Sequence, residues 1–208
     1  LRLVHRSIMA IAATPLTYGH DASIARFSVA SYQRMIASGA LTSEDRVELL
    51  ENYVVLKMRH NPSHDSTIQR MLRPLLRSLP GGWDLRVQSA ITLSASEPEP
   101  DFAIVRGSSS DYEGHHPFAA DVGLVIEVAD TSLARDRHDK GRIYASANIP
   151  IYWVVNLIDR QIEVYTRPSG PEVAAEYAAS QFYQAGEAVP VVLDGRAVTA
   201  IPVADLLS

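Results

Sequence analysis

Val122-Gly123-Leu124-Val125-Ile126-Glu127-Val128 is a continuous apolar run broken by one carboxylate. Unbroken hydrophobicity, as opposed to strict alternation, predicts a strand covered on both faces and therefore the middle of a layered sheet. Working outward, Asp101 to Val105 reads as a short strand before it, set off by a Ser, Gly and His loop from Gly107 to Pro117. Downstream, a helix spans about Arg135 to Ala147. Ile151 to Leu157 and Gln161 to Thr166 then form two strands around a turn that holds Asp159-Arg160.

Upstream, Ser28 caps a helix over about Val29 to Ser38, with Gly39 as its stop. Arg46 to Leu50 and Tyr53 to Met58 form a hairpin across Glu51-Asn52. Pro62 opens a long amphipathic helix in which Ile68, Met71, Leu72, Leu75, Leu76 and Leu79 recur at helical spacing, and Pro80-Gly81-Gly82 ends it. Trp83 to Leu93 is extended chain bent near Ser89. The order α-β-β-α-β-β-β-α-β-β gives an α/β (α+β) fold class, a mixed β-sheet flanked by helices.

Three regions follow. Residues 1–26 read as a flexible N-terminal arm: Arg2, His5 and Arg6 precede an apolar run, Ile8 to Ala13, too short to span a bilayer, and Met9 is a candidate translation start. Residues 27–167 form the main domain. Residues 168–208 begin at Pro168-Ser169-Gly170-Pro171 and form a C-terminal extension on the same domain, with Ala178 to Tyr183 and Val189 to Leu193 as candidate edge strands.

Composition limits the chemistry. With 208 residues, 47% hydrophobic and 21% charged, the chain suits one globular domain with a tail. The absence of cysteine excludes disulfides, thiolate nucleophiles and Cys-ligated zinc, and points to the cytoplasm. A net charge of -5 argues against coating nucleic acid by bulk electrostatics, so any contact with it is local.

A carboxylate inside an apolar strand is costly unless it is paired or metal-bound, which makes Glu127 the strongest single clue. Asp101, after Pro100, ends the neighbouring apolar stretch, and Lys140 lies on the following helix. Two carboxylates at the ends of adjacent strands can hold a divalent cation, and a nearby ammonium can orient water and offset phosphate charge. The bland alternatives are an ion pair of Glu127 with an arginine such as Arg142, and an exposed pair of Lys140 with Asp136, its neighbour one turn earlier. Arg135, Arg137, His138, Lys140 and Arg142 make the densest basic cluster, either a dock for a phosphate backbone or a solvated helix face.

Lesser candidates surround these. Glu48 either turns toward the same sheet end or faces water. His64 either approaches the site from the start of the long helix or serves a capping role. His60 and His64 have the spacing of zinc ligands, but Pro62 between them opposes a helical pair. Gln88 is a candidate support for the site by hydrogen bonding, and His115-His116 face solvent in a loop. No G-x-S-x-G elbow, P-loop or dinucleotide fingerprint is present.

At these residues the chain resembles the Uma-two family, within the PD-(D/E)XK nuclease superfamily. The resemblance begins at Phe27-Ser28-Val29-Ala30-Ser31-Tyr32 and passes through Arg46-Val47-Glu48-Leu49-Leu50, Asn61-Pro62-Ser63-His64 and Glu97-Pro98-Glu99-Pro100-Asp101. Its most specific part is Glu127-Val128-Ala129-Asp130-Thr131-Ser132-Leu133-Ala134-Arg135-Asp136, then Lys140, Tyr144 and Ala145, then Ile149-Pro150-Ile151-Tyr152-Trp153-Val154-Val155. Ala129 stands where the superfamily's E-x-K has lysine, and Lys140 on the helix takes that place. Glu51-Asn52-Tyr53 stands where the family often has an Asp-Gly-Glu turn.

The resemblance implies a restriction endonuclease-like core. It implies Mg2+ or Mn2+ held by Asp101, Glu127 and the Val128 backbone carbonyl, with Lys140 positioning or deprotonating water and Glu48 or His64 assisting. The implied activity is a metal-dependent DNA endonuclease, a homodimer where both strands are cut, with no membrane partner. Two alternatives stay open: a catalytically lapsed module that keeps the fold and binds nucleic acid or protein, and a structural homo-oligomer whose buried polar cluster only fixes the fold.

Overall fold

In the computed structural model, which describes residues 24–59, 61–172 and 174–207, the apolar run from Val122 becomes the strand Val122–Ala129, buried at every position. The elements in chain order are α1 (Val29–Ala37), β1 (Val47–Leu50), β2 (Tyr53–Leu56), α2 (Pro62–Ser78), β3 (Trp83–Val87), β4 (Phe102–Arg106) and β5 (Val122–Ala129). They continue with α3 (Leu133–Arg135), a π-helical turn (Asp136–Lys140), α4 (Gly141–Ser146), β6 (Ile151–Asn156), β7 (Gln161–Pro168), β8 (Tyr177–Tyr183), β9 (Ala188–Leu193), β10 (Arg196–Pro202) and α5 (Val203–Leu206). The expected N-terminal arm falls almost wholly outside the described residues, as does His60.

Six strands form one mixed sheet in the order β3-β4-β5-β6-β7-β8. Within this sheet, among the described residues, only β5 and β6 pair in parallel, through the crossover that carries α3, the π turn and α4. Alternation along each strand divides the core. Ile104, Leu124, Ile126, Val128 and Trp153 face Met71 and Leu75 of α2, and Val189, Val191 and Leu206 join them from the C-terminal segment. On the opposite face Ala103, Val125, Ala129, Tyr152 and Val154 meet Ile143 and Tyr144 of α4. The fold class is α+β with a mixed sheet flanked by helices.

Two departures from the expected elements have physical causes. β9 pairs with β10 in its own two-stranded sheet and does not extend the main one. β10 lacks a sequence signal because Arg196–Ala200 are exposed and carry no burial pattern. The helix expected over residues 135–147 starts at Leu133 and widens into the π turn, where the Gly141 N–H bonds back to the Asp136 carbonyl. The bend near Ser89 is real: Gln88 sits at φ +46° and its N–H donates to the Asp101 carbonyl at 3.0 Å, ending β3 beside the site.

Candidate active site

Asp101 immediately precedes β4, and Glu127 lies on the adjacent β5, so sheet pairing alone places both carboxylates at one end of the sheet. The N-terminus of α2 supplies Asn61 and His64, the β1–β2 hairpin supplies Glu48, and the crossover supplies Arg135, Asp136 and Lys140; all line one cleft. Glu48, Asp101, Glu127, Asp136, His64 and Lys140 are each buried.

Asp101 Oδ2 accepts the Val128 N–H at 2.8 Å and lies 3.0 Å from His64 Nε2. Burial alone would raise this carboxyl, but the His64 bond and charge, the Val128 N–H and Lys140 hold it below its ordinary value. His64 moves the other way: burial lowers it, and the Asp101 bond and charge outweigh that and raise it. The Asn61 side chain caps α2 by accepting the His64 N–H at 3.0 Å, which fixes the start of the helix that aims the imidazole.

Glu127 Oε1 accepts from Lys140 Nζ at 2.8 Å and from the Tyr144 hydroxyl at 2.6 Å. Burial pushes Glu127 up from its ordinary value; Lys140 opposes the shift, while Asp101 and Asp136 add to it. Burial would lower Lys140, but Glu127, Glu48 and Asp136 outweigh it and hold the ammonium firmly protonated. Glu48 Oε1 accepts from Arg135 at 2.7 Å, and its Oε2 lies 3.9 Å from Lys140 Nζ.

Both bland pairings fail. Arg142 is bound to Glu51 and not to Glu127, because the hairpin turn reaches over α4. Lys140 and Asp136 are buried rather than exposed, since the π turn directs both at the sheet end. The basic cluster is no open phosphate dock either: Arg135 pairs with Glu48, Arg137 with Glu163, Lys140 with Glu127 and Arg142 with Glu51. His138 and His115 are exposed.

Three buried groups of this region carry little sequence signal. Tyr144 is legible only through the family pattern, and Asp136 looks like a surface partner of Lys140. Glu163 sits between Gln161 and Tyr165 on one face of β7, a polar alternation indistinguishable from a solvated face. It is fully buried, and its carboxylate accepts from Arg137, Asn156, Gln161 and Tyr165. Arg137 thereby ties the π turn to β7.

The donor set suits a hard divalent cation in one specific way. Among the described residues no group of three or more His, Cys, Asp or Glu side chains is arranged to enclose a metal. The hydrogen bonds of the described residues fall on Asp101 Oδ2 and Glu127 Oε1, leaving Oδ1 and Oε2 as donor atoms. One or two carboxylates with several retained waters is the usual mode for magnesium. Six carboxyls line the cleft against the four cations Lys57, Arg59, Arg135 and Lys140, which leaves it short of positive charge.

A family model described as "Putative restriction endonuclease", Uma2, matches residues 29–203. The structure is similar to the crystal structure of "a putative nuclease belonging to DUF820" from Anabaena variabilis, with a TM-score of 0.60 and 14% identity over 86% of this chain and 97% of that one. No curated protein matches the sequence significantly. Among the described residues no helix is long and apolar enough to cross a membrane. With the match covering nearly all of the described chain, the protein belongs to the Uma2 family.

Proposed function

We propose that the cleft hydrolyses phosphodiester bonds of DNA with a bound magnesium or manganese ion. The observation that carries this reading is the burial of Asp101 and Glu127 from adjacent strands beside Lys140, in a cleft that α2 and the β1–β2 hairpin leave open. A metal bound there would activate water and offset charge on the phosphate. Asp101 Oδ1, Glu127 Oε2 and the Val128 carbonyl would hold it.

The other residues have narrower roles. Lys140, kept protonated by three carboxylates, acts as a hydrogen-bond donor and countercharge and not as a base. His64 orients Asp101 through Oδ2, and Tyr144 orients Glu127 through Oε1. Glu48 places Arg135 at the cleft wall. A cut of both strands calls for two such sites, hence a homodimer.

A second reading, a module that keeps the fold but has lost catalysis, is favoured by one observation: Lys140 already donates directly to Glu127. The two are separated by incubating supercoiled plasmid and single-stranded DNA with the protein in magnesium, manganese or EDTA. Cleavage that requires a metal supports the nuclease; intact DNA under every condition supports the lapsed module.

A further inference from the structure

The helix α2 carries a row of cations that the cleft does not use. Arg70, Arg73 and Arg77 are exposed and fall within an arc of about 60° on the helix, roughly opposite the buried Ile68 and Leu75. Among the described residues none of the three side chains forms a hydrogen bond or ion pair. This sets them apart from Arg135, Arg137, Lys140 and Arg142, each held by a carboxylate. Arg77, in the last turn, also complements the helix dipole; Arg70 and Arg73, in mid-helix, have no such explanation.

We infer that this arginine row is where the protein grips the sugar–phosphate backbone of a nucleic acid whose neighbouring segment enters the cleft. The inference rests on the phosphodiester reading of that cleft. From Arg70 to Arg77 the helix rises about 10 Å, a span that covers roughly three phosphate steps of one duplex strand. The first turn of the same helix lines the cleft through Asn61 and His64, and Arg59, also exposed, lines it beside them. A strand held on the row therefore lies along the same helix whose N-terminal end lines the cleft of Asp101 and Glu127. A membrane surface fits less well, because the apolar face of α2 is spent on the core and leaves no hydrophobic side to insert. In a chain of net charge -5, a local row of this kind is the way phosphate contacts can be made.

The test is fluorescence anisotropy of a labelled DNA duplex in EDTA, so that binding is read without cleavage, over a series of salt concentrations. The proteins are wild type, R70Q/R73Q/R77Q and the charge-preserving R70K/R73K/R77K. Loss of three phosphate contacts should flatten the log–log salt slope by about 3. Between about 50 and 200 mM salt the wild type would then lose about 40-fold more affinity than the glutamine variant. The lysine variant should keep most of the slope. The lysine variant should melt with the wild type and the glutamine variant within a few degrees of it, since the replaced side chains are exposed and only Arg77 complements the helix dipole.

Equal affinity and slope for wild type and the glutamine variant would overturn the inference, as would a wild type that binds no duplex. So would a variant that loses binding to phosphatidylserine vesicles while its DNA binding is unchanged. The outcomes separate from those of the cleft: a row that governs binding in a protein that cuts nothing keeps the phosphate grip of α2 and refutes the nuclease reading, whereas cleavage with an unchanged salt slope refutes the grip alone.

Discussion

Lys140 Nζ stands 2.8 Å from Glu127 Oε1, with both residues buried and the Tyr144 hydroxyl on the same oxygen. This pair joins the π turn to the central strand, so it is structural before it is chemical. Replacing Lys140 by methionine leaves a buried carboxylate without its nearest cation, and should destabilise the protein by about 3–5 kcal/mol in urea unfolding. Adding Glu127→Gln should recover most of that loss. A Lys140→Met protein as stable as wild type would show that the pair does not hold the turn.

Glu163 gives a pH signature away from the cleft. Burial would raise it, but the bonds from Arg137, Asn156, Tyr165 and Gln161 bring it down to about 2. A carboxyl lowered on folding stabilises the protein above its unfolded value, and that contribution disappears as pH falls from about 4.5 toward about 2. Glu163→Gln should therefore show a shallower loss of stability over that range, measured by denaturant titration at successive pH values. Parallel curves for the two proteins would remove Glu163 from the account.

Gly123 is required by close packing. A Cβ there would stand 2.6 Å from the Trp83 indole and 2.9 Å from Leu193, and Trp83 is itself held by Arg106 stacked 4.6 Å from its ring. Gly123→Ala should cost about 1–3 kcal/mol through overpacking, with a change in tryptophan fluorescence. An unshifted unfolding curve would mean that the indole moves freely.

Cation binding has a readout independent of turnover. Manganese at about 100 times its dissociation constant should stabilise the wild type by about 2.7 kcal/mol, visible as a raised melting temperature. Asp101→Asn should lose most of that gain, and EDTA should abolish it. The same gain in wild type and variant would place the ion elsewhere.

Much of the fold is legible in the sequence because its strongest patterns are long. The unbroken run ending at Val128 specifies a central strand, and the spacing of Ile68, Met71 and Leu75 specifies α2. Glu127 is legible because a carboxylate among buried apolar residues demands a partner. The partner itself is not, since Lys140, Arg142 and Arg135 all lie on one crossover and only the π turn decides which reaches Glu127. Glu163 and part of the C-terminal hairpin escape for the opposite reason. The polar alternation around Glu163 describes a solvated surface as well as it describes a buried ion pair, and of the hairpin only β9 is legible, because β10 is exposed from Arg196 to Ala200 and carries no pattern.

On the proposed reading Asp101 and Glu127 together make a site that cuts phosphodiesters. Its most direct test is conversion of supercoiled plasmid in manganese by wild type, Asp101→Asn and Glu127→Gln, each first shown to be folded by its melting curve. The wild type should nick the plasmid and both variants should leave it supercoiled. Undiminished nicking by either folded variant would contradict that reading.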